Sequence, residues 1–284
     1  MKILRNEPLK RHTSLHIGGP ADYFCIPTNT DELREALQFA KERKLRLAIM
    51  GAGTNLLALD NGFRGLVIKL YGGLNWIKIH RPKAQVGAGV ALAKLLFALA
   101  KKGLGGIEFL AGIPGSIGGA VYMNAGAWEK RIGDFVEEVR AVDRTGKERI
   151  FNKAQLGFGY RKSKLQNSQW IITDIVLKLR RKQRKLISKK IKEYLRLRRD
   201  KQPLGTPNCG SVFKNPKGDF AGRIIEQAGC KGMRFGDAQI SSKHANFILN
   251  LGEAKAKDVI KLMTYIQKAV KIELEPEVKI LTEK

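Results

Sequence analysis

The chain has 284 residues, of which 43% are hydrophobic and 28% are charged. This composition is typical of a folded protein with a sizeable core and excludes a wholly disordered or fibrous chain. Lys and Arg number 53 against 26 Asp and Glu, which gives a formal net charge of +27. No stretch approaches the ~18 uncharged apolar residues of a membrane span, and we see no apolar signal-peptide region. We therefore expect a cytoplasmic protein, and the length favours two domains.

The first half of the chain shows helical and strand periodicity in alternation. In chain order we expect a helix over residues 31–43, a strand over 45–50, a strand over 66–70 and a helix over 91–102. Residues 110–126 are then glycine-rich and nearly uncharged. Because so apolar a segment makes a poor flexible linker, we expect its backbone to pack closely against a flat or anionic group.

The second half begins with a predicted hairpin around Thr145-Gly146 and continues with a strand over 170–179. After a basic stretch, 180–201, we expect a loop-rich segment, two helices and a final strand, over 202–218, 221–228, 254–270 and 274–281. The whole pattern indicates an α+β fold. Three cysteines, at 25, 209 and 230, form no metal-binding spacing and no disulfide framework, so we expect neither a metal site nor disulfides.

The basic stretch 180–201 carries twelve basic and two acidic residues. Its apolar residues Ile187, Ile191, Tyr194 and Leu195 recur at helical spacing, which predicts an amphipathic surface helix with a solvated basic face. A site for RNA, DNA or anionic lipid stays open as the alternative, although no zinc-finger or RNP-like motif supports it. A basic surface would also attract an anionic small substrate.

Two glycine-containing loops are candidates for phosphate binding. GAGTN, at 51–55, follows a predicted strand, and glycines there let backbone N–H groups approach a phosphate. It matches neither GxGxxG nor the Walker loop, and a plain tight turn is the alternative. AGIPGSIGGA, at 111–120, contains Ser116, which can cap a short helix. Together the loops favour a dinucleotide cofactor, with close helix–sheet packing as the alternative.

Three further motifs contain residues suited to catalysis. Arg161 lies in a Gly-flanked loop and can clamp a carboxylate. Ser211 could give a proton, but Phe213 replaces the closing glycine of a nucleophile elbow, which argues against a serine hydrolase. Alternation in the last predicted strand places Glu275 and Glu277 on one face, suited to acid–base chemistry. The alternatives are a surface arginine, a polar turn and a charged strand face.

In this order the motifs resemble the UDP-N-acetylenolpyruvoylglucosamine reductase family, also called UDP-N-acetylmuramate dehydrogenases. The resemblance covers nearly the whole chain and rests on eight segments. They are HTSLHIGGPAD (12–22), GAGTNLL (51–57), FLAGIPGSIGGAVYMNAGA (109–127), YRKS (160–163), GSVFKNP (210–216), AGRIIEQAGCKG (221–232), HANFILN (244–250) and LEPEV (274–278). Any one segment is modest evidence, whereas all eight in order are highly specific.

The resemblance implies an FAD-binding fold of the vanillyl-alcohol oxidase type rather than a Rossmann fold. It implies two FAD-binding subdomains, 1–70 and 71–200, and a substrate-binding domain, 201–284. FAD would be held non-covalently by Gly51, Ala52, Gly53, Thr54 and Asn55 at the pyrophosphate and by Ile113, Gly115, Ser116, Gly118 and Gly119 along the flavin. Ala52 stands where the family often has glycine.

The implied reaction is the NADPH-dependent reduction of UDP-N-acetylglucosamine enolpyruvate to UDP-N-acetylmuramate, a peptidoglycan precursor. On this resemblance Arg161 binds the substrate carboxylate, Ser211 donates a proton, and Glu277 is the catalytic glutamate. Because an anionic Glu277 would repel the developing charge, we expect it to be protonated or to act through a donor. Tyr160, Asn215 and Lys201 match substrate-binding positions. We expect a monomer with no nucleic-acid or membrane partner.

Two departures from the family pattern stand out. Residue 12 is His where the family usually has Asn, and YRKSKLQ leads directly into the strand predicted at 170. The chain therefore resembles the shorter branch, which lacks a substrate-covering loop. The competing hypotheses are a related FAD oxidase acting on a hydroxy acid or alcohol, and a basic nucleic-acid-binding protein without cofactor.

Overall fold

The computed structural model describes residues 1–282 and has the predicted α+β character. The helices are α1 Thr30–Glu42, α2 Leu92–Lys101, α3 Ile117–Tyr122, α4 Lys153–Leu156, α5 Arg184–Lys201, α6 Ala221–Gln227 and α7 Ala256–Ala269. The strands are β1 Ile3–Pro8, β2 Pro20–Cys25, β3 Leu47–Met50, β4 Leu56–Ala58, β5 Phe63–Lys69, β6 Ile77–His80, β7 Lys83–Gly87, β8 Leu104–Gly105, β9 Gly126–Ala127, β10 Lys130–Arg131, β11 Val136–Val142, β12 Glu148–Asn152, β13 Ile171–Lys178, β14 Arg180–Arg181, β15 Asn208–Ser211, β16 Arg234–Phe235, β17 Ala238–Ile240, β18 Phe247–Asn250 and β19 Lys279–Leu281. One four-stranded sheet has the order β1-β2-β5-β3.

The chain divides into two compact units that are interleaved along the sequence. Unit 1 contains residues 1–3, 24–52 and 67–198, and unit 2 contains residues 4–23, 53–66 and 199–284. The GAGTN loop therefore contributes its first two residues to unit 1 and the remainder to unit 2. The three-part division at 1–70, 71–200 and 201–284 stays a prediction.

Unit 1 contains a five-stranded antiparallel sheet with the order β12-β11-β13-β7-β6. Its central strand, β13 (IITDIVLK), is buried over most of its length, and α3 packs against it. The two-stranded pair β14–β8 brings the start of α5 beside the end of α2, since Lys182 N–H donates to the Gly103 carbonyl at 2.9 Å.

Unit 2 contains a four-stranded antiparallel sheet with the order β15-β18-β17-β16. The apolar face of α7 is buried in the same hydrophobic cluster as Leu15 and Leu57. Asp60 fixes the start of α7, because its carboxylate accepts from the backbone N–H groups of Ala256 at 2.7 Å and Lys257 at 3.1 Å. The parallel pair β4–β19 joins residues 56–58 to residues 279–281.

The prediction of a strand over residues 274–281 is mostly wrong, since only Lys279–Leu281 forms a strand. Proline at 276 has no N–H to donate to a ladder. Residues 274–278 instead bind the chain after Ser211, where Lys214 N–H donates to the Glu275 carbonyl and Glu277 N–H to the Val212 carbonyl, both at 2.8 Å. The regular alternation assumed for this segment therefore does not hold, although its pairing still fixes the backbone of Glu277.

Candidate active site

The two glycine loops approach each other in unit 1. Gly51 follows β3, and a Cβ atom built on it would lie 2.7 Å from Ser116 Oγ. Ser116 caps α3 as predicted, since its Oγ accepts from Gly119 N–H at 3.2 Å. The close approach therefore requires glycine at residue 51, and it places two separately predicted motifs side by side.

Gly118 and Gly119 serve different purposes. A Cβ atom on Gly118 would lie 2.8 Å from the Cβ atom of Ala88, so this glycine permits close packing of α3 on the chain after β7. A Cβ atom on Gly119 would meet only Ser116 Oγ, at 3.4 Å, and would otherwise project into open space. Gly51, Ser116 and Gly119 thus line a cradle of backbone and one hydroxyl, which fits a flat or phosphate-bearing cofactor.

The neighbouring predicted cofactor residues are also fixed by backbone contacts. The Gly115 carbonyl accepts from Leu92 N–H at 3.0 Å, and Ile113 N–H donates to the Leu110 carbonyl at 3.0 Å. Ile113 and Ala52 are half-buried. These backbone contacts fix the loop to the start of α2 and to its own turn.

The remainder of the GAGTN loop is organised within unit 2. Gly53 has a φ of +70°, a conformation that favours glycine, and its carbonyl accepts from Ser14 N–H at 3.1 Å. Asn55 Nδ2 donates to the Glu277 carbonyl at 3.0 Å. Thr54 is half-buried between them. The structure thus joins a predicted cofactor residue, Asn55, directly to the segment that carries the predicted catalytic glutamate.

Arg161 has a left-handed backbone conformation, with a φ of +52°. Its Nη1 donates to the Gly126 carbonyl at 3.1 Å, and its guanidinium carbon lies 5.5 Å from the centre of the Tyr160 ring. Gln166 Nε2 donates to the Arg161 carbonyl at 3.1 Å. The guanidinium is therefore directed by its own loop and by the β9 segment.

The loop that carries Arg161 is attached to the C-terminal end of α3. Ser163 Oγ and Gln166 Nε2 both donate to the Tyr122 carbonyl, at 2.7 and 2.9 Å. Asn124 Nδ2 donates to the Gly159 carbonyl at 2.7 Å. Because the other end of α3 begins at Ser116, one short helix connects the glycine cradle to the arginine loop.

Arg198 is a site residue that the sequence did not reveal. It is only 9% exposed, its Nε donates to the Ala111 carbonyl at 2.9 Å, and its guanidinium lies 4.8 Å from the Trp128 ring centre. Burial, together with the nearby charge of Arg161, lowers the pKa of Arg198 to about 10. Two guanidinium groups this close favour an anion in their vicinity. The spacing of Ile187, Tyr194 and Arg198 on one helical face was the available signal.

Ser211 ends β15 in unit 2 and is half-buried. The two residues after it are fixed by Asn246: Phe213 N–H donates to Asn246 Oδ1 at 2.9 Å, and Asn246 Nδ2 donates to the Phe213 carbonyl at 2.8 Å. The Asn246 carbonyl also accepts from Val212 N–H at 2.9 Å. Ser211 is thus presented by a rigid backbone, beside the Val212 carbonyl that holds Glu277.

Cys209 lies two residues before Ser211 and is fully buried. Burial, reinforced by the nearby charge of Glu277, raises the pKa of the Cys209 thiol to about 12. The thiol therefore stays protonated at neutral pH, and a thiolate is the nucleophilic form of cysteine. Cys209 accordingly serves packing, which leaves Ser211 and Glu277 as the candidate polar groups of this segment.

Two predicted substrate-binding residues lie at helix ends in unit 2. Asn215 is exposed, and its Oδ1 accepts from Ala221 N–H at 3.1 Å at the start of α6. Lys201 is the exposed last residue of α5. Tyr160, in unit 1, is also exposed. Within residues 1–282, His, Cys, Asp and Glu form no group of three suited to a metal ion.

Over residues 1–282, none of the helices combines the length and apolar character needed to cross a bilayer.

Two family models match separate parts of the chain. Residues 21–152 match an FAD binding domain, and residues 202–281 match the C-terminal domain of UDP-N-acetylenolpyruvoylglucosamine reductase. The first match covers the glycine cradle, and the second covers Ser211, Asn215 and Glu277. Both are consistent with the cofactor and substrate regions implied by the resemblance.

Curated relatives align over nearly their whole length. A protein named UDP-N-acetylenolpyruvoylglucosamine reductase 2 from Symbiobacterium thermophilum is 45% identical over 98% of this chain and 92% of its own. A UDP-N-acetylenolpyruvoylglucosamine reductase from Moorella thermoacetica is 44% identical over 99% of this chain and 93% of its own. The likeness therefore extends to both units.

Solved structures confirm the expected fold class. UDP-N-acetylenolpyruvylglucosamine reductase from Thermus caldophilus matches with a TM-score of 0.86 and 38% identity, over 99% of this chain and 98% of that one. Cholesterol oxidase from Brevibacterium sterolicum matches with a TM-score of 0.50 and 16% identity, over 63% of this chain and 37% of that one. The second match concerns the fold alone.

Proposed function

Because the chain belongs to the UDP-N-acetylenolpyruvoylglucosamine reductase family of FAD-dependent oxidoreductases, we propose that it reduces UDP-N-acetylglucosamine enolpyruvate to UDP-N-acetylmuramate with NADPH. The observation that carries this proposal is the pairing of a cofactor cradle with an arginine loop through α3 in unit 1. A cradle for FAD and a cationic group for a carboxylate are the two features that the reaction needs.

Gly51, Ser116 and Gly119 would hold FAD, together with the rest of the two glycine loops. When bound, FAD would supply the hydride chemistry that connects NADPH to the methylene carbon of the enolpyruvyl group. Because Gly51 and Gly119 have no side chains, the backbone of the cradle stays open to a bound cofactor, which suits the pyrophosphate and the edge of the ring.

Arg161 would bind the substrate carboxylate. As hydride arrives at the methylene carbon, negative charge develops toward that carboxylate, and a fixed guanidinium stabilises it without reorganisation. Arg198 lies close enough for its charge to affect Arg161, so we propose that it adds a second positive charge. Glu277, held by its backbone to Val212, would have to be protonated or act through a donor, because an anion there would oppose this charge.

Ser211 would donate the proton that completes the reduction. A serine hydroxyl is a weak acid, but the enolate-like carbon is a strong base when the two are well placed. The hydrogen bonds from Val212 N–H and Phe213 N–H to Asn246 fix the backbone that follows Ser211, which supports such placement. Tyr160, Asn215 and Lys201 are proposed to contact the rest of the UDP-sugar.

Anaerobic spectroscopy of the purified FAD-bound protein tests the proposed function. NADPH is expected to bleach the flavin bands, and UDP-N-acetylglucosamine enolpyruvate is expected to restore them. Bleaching by a hydroxy acid or alcohol instead of NADPH would indicate the related oxidase. A protein that stays colourless after incubation with FAD would contradict the cofactor assignment.

The substitution Ser211→Ala separates the two half-reactions. Reduction of FAD by NADPH is expected to keep its wild-type rate, because this step needs no proton from Ser211. Reoxidation by the enolpyruvyl substrate is expected to slow by about 10²–10⁴-fold, the usual contribution of a positioned acid. Stopped-flow absorbance measures both steps on one preparation, and equal losses in both would refute the assignment of Ser211.

We also propose that the enzyme is a cytoplasmic monomer. All three cysteines are free and buried, which suits a reducing compartment. Multi-angle light scattering should give the mass of one chain, about 32 kDa.

A further inference from the structure

A basic surface on unit 1 lies outside the residues assigned to the reaction. It combines one end of α2 with the β14 strand and the outer face of α5. We define this basic surface as Phe97, Lys101, Lys102, Arg180, Arg181, Arg184, Lys185, Leu186, Lys189, Lys192 and Arg196, and all of them are exposed.

The outer face of α5 is uniformly cationic. Lys185, Lys189, Lys192 and Arg196 follow the spacing i, i+4, i+7 and i+11, and they lie about 200° around the helix from the buried stripe that begins at Ile187. Their charges therefore point directly away from the core. Nine of the fifteen residues from 178 to 192 are Lys or Arg, and none is acidic.

Few carboxylates neutralise this surface. Glu108 pairs with Lys182 at 3.1 Å, and Glu193 pairs with Lys190 at 2.8 Å, and both of these lysines lie beside the defined surface rather than in it. In the part of the chain that the structure describes, no ion pair is formed by the four cations of the outer face of α5. Such a surface has a strong positive potential, which calls for an anionic partner with many charges.

Two large apolar side chains are exposed on the elements that carry these cations. Phe97 is 62% exposed and Leu186 is 55% exposed. Lys101 Nζ lies 4.6 Å from the centre of the Phe97 ring, and the bond from Lys182 N–H to the Gly103 carbonyl keeps the two segments adjacent. Apolar tips surrounded by Lys and Arg are typical of helices that lie in the interface of a bilayer.

We propose that the basic surface docks this enzyme on a bilayer rich in anionic lipid. The cations contact phosphate headgroups, and Phe97 and Leu186 enter the boundary between headgroups and acyl chains. Nucleic acid would satisfy the charges equally well, but single strands are usually held by several aromatic side chains on which bases stack. The basic surface has one aromatic residue, Phe97. Such docking would correspond to the anionic-lipid alternative that the sequence left open for residues 180–201, rather than to the expected solvated helix face without a membrane partner.

Co-sedimentation with lipid vesicles tests this proposal on the FAD-bound enzyme. Binding is expected to vesicles containing about 30 mol% phosphatidylglycerol in phosphatidylcholine, and not to phosphatidylcholine alone. The quadruple substitution Lys185→Gln, Lys189→Gln, Lys192→Gln and Arg196→Gln is expected to weaken this binding by about tenfold or more.

A matched control removes the same charge elsewhere. Lys257, Lys261, Lys268 and Lys271 are exposed in unit 2, and their replacement by Gln is expected to change vesicle binding by less than about twofold. Equal losses in the two variants would overturn the proposal, since only net charge would then matter. Thermal unfolding of both variants establishes that they remain folded.

Two further measurements separate lipid from other polyanions. The double substitution Phe97→Ser and Leu186→Ser is expected to abolish the vesicle binding that remains at high salt. Salt screens the contacts between Lys or Arg and lipid phosphates, whereas it leaves apolar contacts intact. Failure of wild-type enzyme to prefer the anionic vesicles would overturn the proposal. So would tighter binding to duplex RNA than to vesicles at equal phosphate concentration, since the surface would then be a nucleic-acid site.

Discussion

Arg161 and Arg198 occupy positions that lysine cannot fill equally well. Arg161 donates to the Gly126 carbonyl from a loop held by Gln166, and Arg198 lies over Trp128. Only a guanidinium offers a planar fork for a carboxylate and a flat face for an indole. Both arginines therefore depend on shape as well as charge.

We expect Arg161→Lys to lower kcat/KM for the enolpyruvyl substrate by about 10²–10³-fold, the cost of losing one preorganised donor. Arg198→Lys is expected to lower kcat/KM less, by about tenfold, because Arg198 adds positive charge near Arg161 rather than binding the carboxylate itself. Steady-state kinetics measure both. Arg223→Lys, at an exposed arginine paired with Asp219, is the control, and a similar loss in it would contradict the assignment.

Gly118 and Gly119 allow cofactor binding to be separated from folding. Gly119→Ala places a methyl group in the open cradle beside Ser116 and is expected to weaken FAD binding by about tenfold while leaving the apoprotein equally stable. Gly118→Ala forces that methyl against Ala88 and is expected to cost about 1–3 kcal/mol of stability. Flavin fluorescence titration and urea unfolding of the apoproteins test both variants, and the same behaviour in each would refute the distinction.

The role of a single residue could be predicted where a recognisable motif contained it. It was missed where the role depends on burial in the folded chain. Ser116 was expected to cap a helix from its sequence alone, and the structure shows this. Arg198 was overlooked among the cations of residues 180–201, although its spacing from Ile187 and Tyr194 places it on the apolar face of the helix. Asn246 lay in the family segment 244–250 without an assigned role, yet its side chain binds the backbone of Phe213, two residues after Ser211.

At the scale of elements, Asn246 connects β18 to the end of β15. Its side chain is buried, with 2% of its surface exposed, and exchanges two hydrogen bonds with the Phe213 backbone. Asn246→Ala would leave both Phe213 groups unsatisfied in the core, so we expect a loss of about 2–4 kcal/mol in the free energy of unfolding.

Urea unfolding measures this loss. Asn29→Ala is the control, since Asn29 is an exposed cap of α1 and its removal is expected to cost only about 1 kcal/mol. The Asn246 variant is also expected to slow flavin reoxidation by substrate, whereas the Asn29 variant keeps the wild-type rate. A cost at Asn246 no larger than at Asn29 would contradict its bridging role.

Elements with strong periodicity were predicted well. The helices expected over 31–43 and 91–102 correspond to Thr30–Glu42 and Leu92–Lys101, and the hairpin after residue 136 is present as β11 and β12. The strand expected over 274–281 was mostly wrong, because alternation alone does not show that Pro276 interrupts a ladder. Pairings distant in sequence, such as β4 with β19, leave no local pattern and could not be predicted from periodicity.

At the scale of the whole molecule, the net charge of +27 is the dominant electrostatic feature. The proposed substrate carries a diphosphate and a carboxylate, so the protein's field is expected to speed their encounter. We expect kcat/KM to fall several-fold as salt is raised from low concentration to about 0.3 M, while kcat changes little, because salt shortens the reach of this field. Initial-rate kinetics test this, with sucrose at equal osmolality as the control, and a salt-independent kcat/KM would contradict it.

The interleaving of the two units has a consequence for synthesis of the chain. Residues 4–23 and 53–66 belong to unit 2, but most of that unit lies in residues 199–284. At roughly 5–20 residues per second, the early segments leave the ribosome on the order of ten seconds before their partners exist. Leu15 and Leu57, which end in the core of unit 2, stay exposed during that interval. We therefore expect the nascent chain to bind chaperones until residues 279–281 have been synthesised and β19 can pair with β4.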